Sequence, residues 1–206
     1  MYRGDKVILR GYEKTDLELA HRYFNDPEVQ HLLNSGLVLP ISMAEEEKFI
    51  NECANSKERG YNFAIETIEG EYLGGCGYFD LDRKNRTTYV GIAIANKERW
   101  GQGYGTDAMR VLLRFLFDEL DLRKVLLRVF AYNDRAIASY RRLGFVEEGR
   151  LRQQFYRRGE YHDEIIMGIL RDEFVNANPA ANATPAARAP RPLRTSKVAP
   201  LRRPRG

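Results

Sequence analysis

Little in this chain of 206 residues could staple it or anchor it. There are two cysteines, Cys53 and Cys76, too few and too widely spaced for a disulfide framework or a thiolate metal site, so both are expected as buried free thiols. No apolar run approaches the roughly 18 residues of a membrane span, and the start, MYRGDKVILRGYEK, has no signal-peptide core, so a cytoplasmic location is expected. His21, His31 and His162 are scattered without metal-ligand spacing, and no metal is expected. Tryptophan occurs once, at Trp100.

Acids are missing from the last stretch. Residues 175–206 carry seven bases and no acid, which leaves 26 bases against 29 acids, a net −3, on residues 1–174. Six of the eight prolines lie in the same stretch, with much alanine. A segment of that composition buries too little apolar surface to offset its ordering entropy, so a folded domain over 1–174 and a disordered basic tail over 175–206 are expected. The tail could attract nucleic acid in a salt-dependent way, but it has no aromatic residue to stack on bases, and the body is acidic.

The hydrophobic fraction of 43% supports a full core. Lys6–Leu9 reads as a strand. Thr15 and Glu18 have capping-box spacing at the start of a helix, and Ser42 and Glu45 have it at another running to Cys53. Glu28–Leu33 reads as a short helix before a turn at Asn34-Ser35-Gly36. Asn62–Thr67 and Tyr72–Phe79 form a hairpin in which Gly74, Gly75 and Gly77 suggest a bulge or a close backbone approach. Thr87–Ala95 is the next strand.

The stretch from Tyr89 to Phe117 carries the chemistry. A strand, then Gly101, Gly103 and Gly105, then a helix with Ala108, Val111, Leu112, Phe115 and Leu116 on one face, is an arrangement that binds an anion on backbone N–H groups at a helix start. Gly103-Tyr104-Gly105-Thr106-Asp107-Ala108 also matches a dinucleotide pattern, but the strand follows antiparallel neighbours and the next strand, Val125–Phe130, ends without the required acid. No lysine follows the glycines as a nucleoside-triphosphate loop needs. Downstream, Asn133 caps a short helix, Gly144 ends it, and Phe145–Tyr156 with His162–Leu170 close the domain as a hairpin.

Two motifs in this order, Trp100-Gly101-Gln102-Gly103-Tyr104-Gly105-Thr106 and NDRAIASYRRLGF over Asn133–Phe145, resemble the GNAT superfamily of N-acetyltransferases across about residues 5–174. Within it the chain looks like spermidine acetyltransferases and the enzymes that acetylate ribosomal-protein N-termini. The resemblance implies the acyl-CoA N-acyltransferase fold, an α/β (α+β) architecture whose central, mixed but mostly antiparallel sheet has about six to seven strands flanked by helices.

It also implies acetyl-CoA as co-substrate, with its diphosphate on Trp100, Gly101, Gln102, Gly103, Tyr104, Gly105 and Thr106. The pantetheine arm would pair with Ile92, Ala93 and Ile94, where the strand Val90–Ile94 splays from Val125–Phe130. Asn133 would be both cap and cofactor contact. Trp100 stands where the family usually has Gln or Arg, and it reads either as a loop anchor packed on the sheet or as a cofactor contact.

Spacing alone makes Tyr140 a core residue beside Ala136 and Leu143, whereas the resemblance makes its phenol the acid that protonates the leaving thiolate. No general base stands out. Tyr89 takes the place where many relatives carry glutamate, Glu66, Asp80 and Asp82 read as solvated acids, and His162-Asp163-Glu164 begins the last strand, where an exposed turn is the plainer reading of its polar residues.

The expected activity is acetyl transfer to a primary amine, a protein N-terminus or a small amine, with a polyamine as the alternative acceptor. A sensor that binds acetyl-CoA without turnover, or a nucleic-acid binder acting through the tail, are the readings from other classes. Exposed sheet edges leave a homodimer open.

Overall fold

The computed structural model describes residues 1–33, 36–55 and 59–178. The N-terminal part is β1 (Tyr2–Arg3), β2 (Val7–Arg10), a 3₁₀ turn (Lys14–Asp16) and three helices, α1 (Leu17–Phe24), α2 (Pro27–Leu33) and α3 (Met43–Asn55). Then come β3 (Tyr61–Thr67), β4 (Tyr72–Asp82), β5 (Thr87–Ile94), α4 (Tyr104–Arg114), β6 (Lys124–Phe130), α5 (Asp134–Leu143), β7 (Val146–Arg157), β8 (Glu160–Leu170) and α6 (Arg171–Ala177).

The strands form one eight-stranded sheet in the order β1-β2-β3-β4-β5-β6-β8-β7. The sequence led to about six or seven; the additional strand is the two-residue β1, too short to leave a periodic signal. Every pairing is antiparallel except β5 with β6, where α4 supplies the crossover that a parallel pair requires. Those two strands pair only at Thr87 with Lys124, Thr88 with Val125 and Tyr89 with Leu126, and then diverge, so the expected splay beyond Val90 is present.

Helix α4 and the π turn that continues it, Phe115–Glu119, lie at the centre of the main core. Ala108, Leu112 and Leu113 of the helix and Leu116 of the turn are fully buried, and Met109 and Val111 nearly so, against Val7, Leu9, Val125 and Leu127 of the sheet. Each such aliphatic side chain contributes about 1.5–3 kcal/mol on burial. A smaller cluster, Ala20, Ile50, Ala64 and Tyr72, seats α1 and α3. Buried Asp107 links α4 to the N-terminal strand by accepting from the backbone N–H of Lys6 at 2.8 Å and of Val7 at 3.2 Å.

One cap differs from expectation. The box at the first helix is formed by Glu13 and Asp16, not Thr15 and Glu18. Arg10 grips both oxygens of buried Asp16 at 2.8 Å and the Glu66 carboxylate at 2.6 Å, and Asp16 Oδ2 also accepts from the Glu13 N–H at 2.9 Å. That ion cluster moves the helix start to Leu17. The Ser42–Glu45 box forms as expected, with Glu45 N–H donating to Ser42 Oγ at 3.2 Å and Ser42 N–H to Glu45 Oε2 at 2.8 Å. Gly74, at φ +141°, answers the expectation of close approach, because a Cβ there would collide with the Ala93 carbonyl. Both cysteines are free and buried, and burial raises both thiol pKa values.

Helix α6 runs to Ala177, past the expected boundary at 174, and Asn178 Nδ2 donates to the Leu143 carbonyl at 3.1 Å. The rest of the expected tail, like Asn34 and Ser35 of the expected turn, lies outside the described residues.

Candidate active site

The splay of β5 from β6 opens a cavity of about 480 Å³. Its walls are β5 from Val90 to Ile94, the end of β6, the loop from Arg99 into α4, one side of α5 and the apolar side of α2. Gly101 at φ +74° and Gly103 at φ +85° take left-handed conformations that strain side-chain-bearing residues, which is why this turn is glycine-rich. Gly103 caps α4 without a side-chain hydrogen bond, and Tyr104, Gly105 and Thr106 open the helix at the cavity wall. First-turn N–H groups and the positive end of the helix dipole therefore face one place, as an anion requires.

Of the residues selected from sequence, Ile92, Ala93, Ile94, Trp100, Gly101, Gly103, Tyr104, Gly105, Thr106, Asn133 and Tyr140 all line this cavity. Gln102 does not: its Nε2 turns back to the Glu98 carbonyl at 2.8 Å and its carbonyl accepts from Lys6 Nζ at 2.8 Å. Trp100 is the loop anchor of one reading. Its indole N–H donates to the Ile94 carbonyl at 2.6 Å, which anchors the loop to β5, while the residue also lines the cavity.

Helix α5 brings the second motif to the opposite wall. Asn133 caps it by accepting from the Ala136 N–H at 3.2 Å, and Gly144 closes it at φ +103°. Tyr140 is 8% exposed, and burial pushes its phenol pKa up to about 12. It is therefore both packed, against Phe145 at 5.8 Å, and present at the cavity. Thr106 Oγ1 and Ser139 Oγ join the two helices at 2.7 Å.

The remaining end is built from residues the motifs did not reveal. Val29, Leu32 and Leu33 of α2 and Phe79 and Phe130 of the sheet give it an apolar lining. Tyr132 holds α2 in place: its hydroxyl donates to the His31 carbonyl at 2.9 Å, and its ring is stacked on His31 at 4.9 Å and met edge-on by His162 at 4.8 Å. Two histidines that look scattered in sequence thus flank one tyrosine. Burial first, then Arg158, Arg157 and His162, lowers the His31 pKa. Among the described residues no cluster could hold a metal ion.

Glu164 is the carboxylate of this cavity. The strand expected from His162 is β8, which begins at Glu160; the exposure expected at its start does not hold for Glu164, because register sets it opposite Phe130 and leaves it 7% exposed, with Arg128 Nη1 at 3.4 Å. Glu66, Asp80 and Asp82 do not line the cavity. Glu66 is bound to Arg10, and Asp82 accepts from the Asn85 N–H at 2.9 Å. Tyr89 is the last position of β5 paired to β6; its ring stacks on Phe79 at 5.9 Å with the Arg128 guanidinium 5.6 Å from its centre.

Comparison with known proteins gives one answer. The family described as acetyltransferase (GNAT) domain matches residues 6–146. An uncharacterized prophage-derived N-acetyltransferase of Bacillus subtilis, YokL, is 30% identical over 173 residues, 84% of this chain and 94% of that protein. The spermidine N(1)-acetyltransferase of Vibrio cholerae is 27% identical over 84% of this chain and 98% of its own length. A crystal structure of spermidine N-acetyltransferase from Vibrio cholerae with CoA and spermine superposes with a TM-score of 0.73 at 26% identity, covering 82% of this chain and 98% of that one.

Proposed function

The chain belongs to the GNAT acetyltransferase family, and from that premise we propose that it acetylates a singly charged primary amine on an apolar framework, such as the α-amino group of a peptide. It is an N-acetyltransferase with acetyl-CoA as co-substrate. The observation that carries the acceptor reading is the composition of the cavity beyond the cofactor loop. Among the described residues one carboxylate, Glu164, is there, already facing Arg128, among Val29, Leu32, Leu33, Phe79 and Phe130. A polycation would need several carboxylates to replace its hydration.

In this reading the donor's diphosphate takes the first-turn N–H groups of α4 and the loop of Gly101 and Gly103, and Asn133 and the unpaired edge of Ile92–Ile94 take the pantetheine arm. Glu164 draws in the acceptor as an ammonium ion, which loses one proton to solvent. The neutral nitrogen attacks the thioester carbon, and a backbone N–H of the Ile92–Ile94 strand meets the oxyanion. As the carbon–sulfur bond breaks, Tyr140 gives its phenolic proton to the thiolate, and the proton shed by the acylated nitrogen restores the phenol. Tyr140 is protonated when the thiolate forms, as the role needs, and burial makes it a weaker acid than a free phenol. No helix among the described residues is long and apolar enough to cross a membrane. A cytoplasmic protein, and a homodimer through an outer strand such as β7, complete the reading.

The second reading is a polyamine acceptor, favoured by the likeness to spermidine acetyltransferases. A panel of peptide N-termini, monoamines, spermidine and spermine, followed by thiol release from acetyl-CoA, separates the two. The best peptide or monoamine is expected to exceed spermidine in kcat/KM. A spermidine kcat/KM well above every singly charged amine would replace this reading with the polyamine one, and no turnover with any amine would remove both.

A further inference from the structure

We propose that Arg135 binds a phosphate of acetyl-CoA, and that Trp100 positions its guanidinium for the task. The inference rests on acetyl-CoA as the occupant of the cavity. The guanidinium carbon of Arg135 lies 3.8 Å from the centre of the Trp100 ring, and both residues line the cavity. The indole is fixed through its hydrogen bond to the Ile94 carbonyl, so the stack joins the start of α5 to the start of the glycine loop.

Three other cations near the loop are engaged. Arg99 is paired with Glu71 at 2.7 Å, Lys97 with Asp26 at 2.9 Å, and Lys6 donates to the Gln102 carbonyl. The Arg135 side chain makes no ion pair and no hydrogen bond among the described residues. Its contact with Trp100 uses the face of the guanidinium and leaves the N–H edges, which are the part that grips phosphate oxygens two at a time. Although the residue is exposed, desolvation lowers its pKa, with Glu28 acting the other way. A stacked cation without an ion pair, beside a helix start whose one acid, Asp107, is turned to the N–H groups of Lys6 and Val7, is the arrangement a phosphate would complete. The stack also restricts a side chain that would otherwise lose much rotamer freedom on binding.

The donor offers a diphosphate and a 3′-phosphate, which share this chemistry. Calorimetric titration of the full chain with CoA, 3′-dephospho-CoA and pantetheine distinguishes them. Arg135→Met is expected to raise the Kd for CoA about tenfold, the scale of one charge-assisted contact, while leaving the Kd for pantetheine unchanged, which also certifies the fold. Arg135→Lys recovers part of the loss. If the loss persists with 3′-dephospho-CoA the contact is to the diphosphate, and if it vanishes the contact is to the 3′-phosphate. Trp100→Leu weakens CoA binding more when Arg135 is present than in the Arg135→Met background, where only the loop anchor is lost. CoA binding unaffected by Arg135→Met, or an equal loss with pantetheine, overturns the phosphate contact; equal losses from Trp100→Leu in both backgrounds overturn the positioning role. Wild-type protein that binds no CoA overturns the donor reading itself, and this inference with it.

Discussion

Thr106 and Ser139 meet hydroxyl to hydroxyl at 2.7 Å, so the first turn of α4 is tied to the cavity side of α5. The bond holds the two halves of the proposed site, cofactor loop and acid, at a fixed separation. Thr106→Val removes it with little change in shape. We expect a severalfold higher KM for acetyl-CoA, a kcat within about twofold, and a cost of about 1 kcal/mol read as a lower melting temperature.

For Tyr140→Phe, kcat is expected to fall about 100-fold or more with little change in acetyl-CoA affinity. The pH behaviour follows from the sign of the shift. Burial raises the phenol from 10.0 to about 12, so its acid function persists through neutral and mildly alkaline pH. The neutral form is favoured by folding; that stabilisation is complete below pH 10 and is lost between pH 10 and about 12, at roughly 1.4 kcal/mol per unit. Melting curves from pH 9 to 12 should therefore fall less steeply for Tyr140→Phe than for the wild type.

Glu164→Gln keeps the size of the side chain and removes the charge that faces the acceptor. An amine KM raised about tenfold, with the acetyl-CoA KM unchanged, is expected from steady-state kinetics with each substrate varied in turn. Equal changes in both constants would assign Glu164 to packing instead.

Arg10 is the hub of a buried ion cluster, with Asp16 only 4% exposed and Glu66 22% exposed. Arg10→Met leaves Asp16 as an uncompensated charge, and urea denaturation should show a loss of about 3–5 kcal/mol. Glu66→Gln should cost less, because its carboxylate is better hydrated.

Truncation has a definite safe point. Phe174 is buried and Asn178 caps the end of α5 through the Leu143 carbonyl, so a chain ending at Asn178 should keep wild-type turnover, whereas one ending at 174 loses that cap, a cost of about 1 kcal/mol. Thermal melts and thiol-release assays of the two truncated chains check this.

What the sequence disclosed was local. Gly101, Gly103, Asn133 and Gly144 each mark a backbone conformation or cap fixed within a few residues, and all four stand where expected. Glu164 was illegible because its direction depends on the pairing of β8 with both β6 and β7, where irregular register at Gly149 and Phe155 defeats simple counting. The Thr15–Glu18 box misled because two overlapping pairs have the same spacing, and distant Arg10 and Glu66 select the other one. The stack of Arg135 on Trp100 joins positions 35 residues apart and has no local signature.

The fork between β5 and β6 makes the sheet itself a reporter of occupancy. Beyond Tyr89, β5 keeps its partner β4 on one side and, among the described residues, has no strand on the other. Alternate amides along Val90–Ile94 should thus exchange with deuterated solvent quickly and their neighbours slowly, a chequerboard along a single strand. A ligand that fills the gap as a missing strand would erase that pattern and raise the unfolding temperature by mass action.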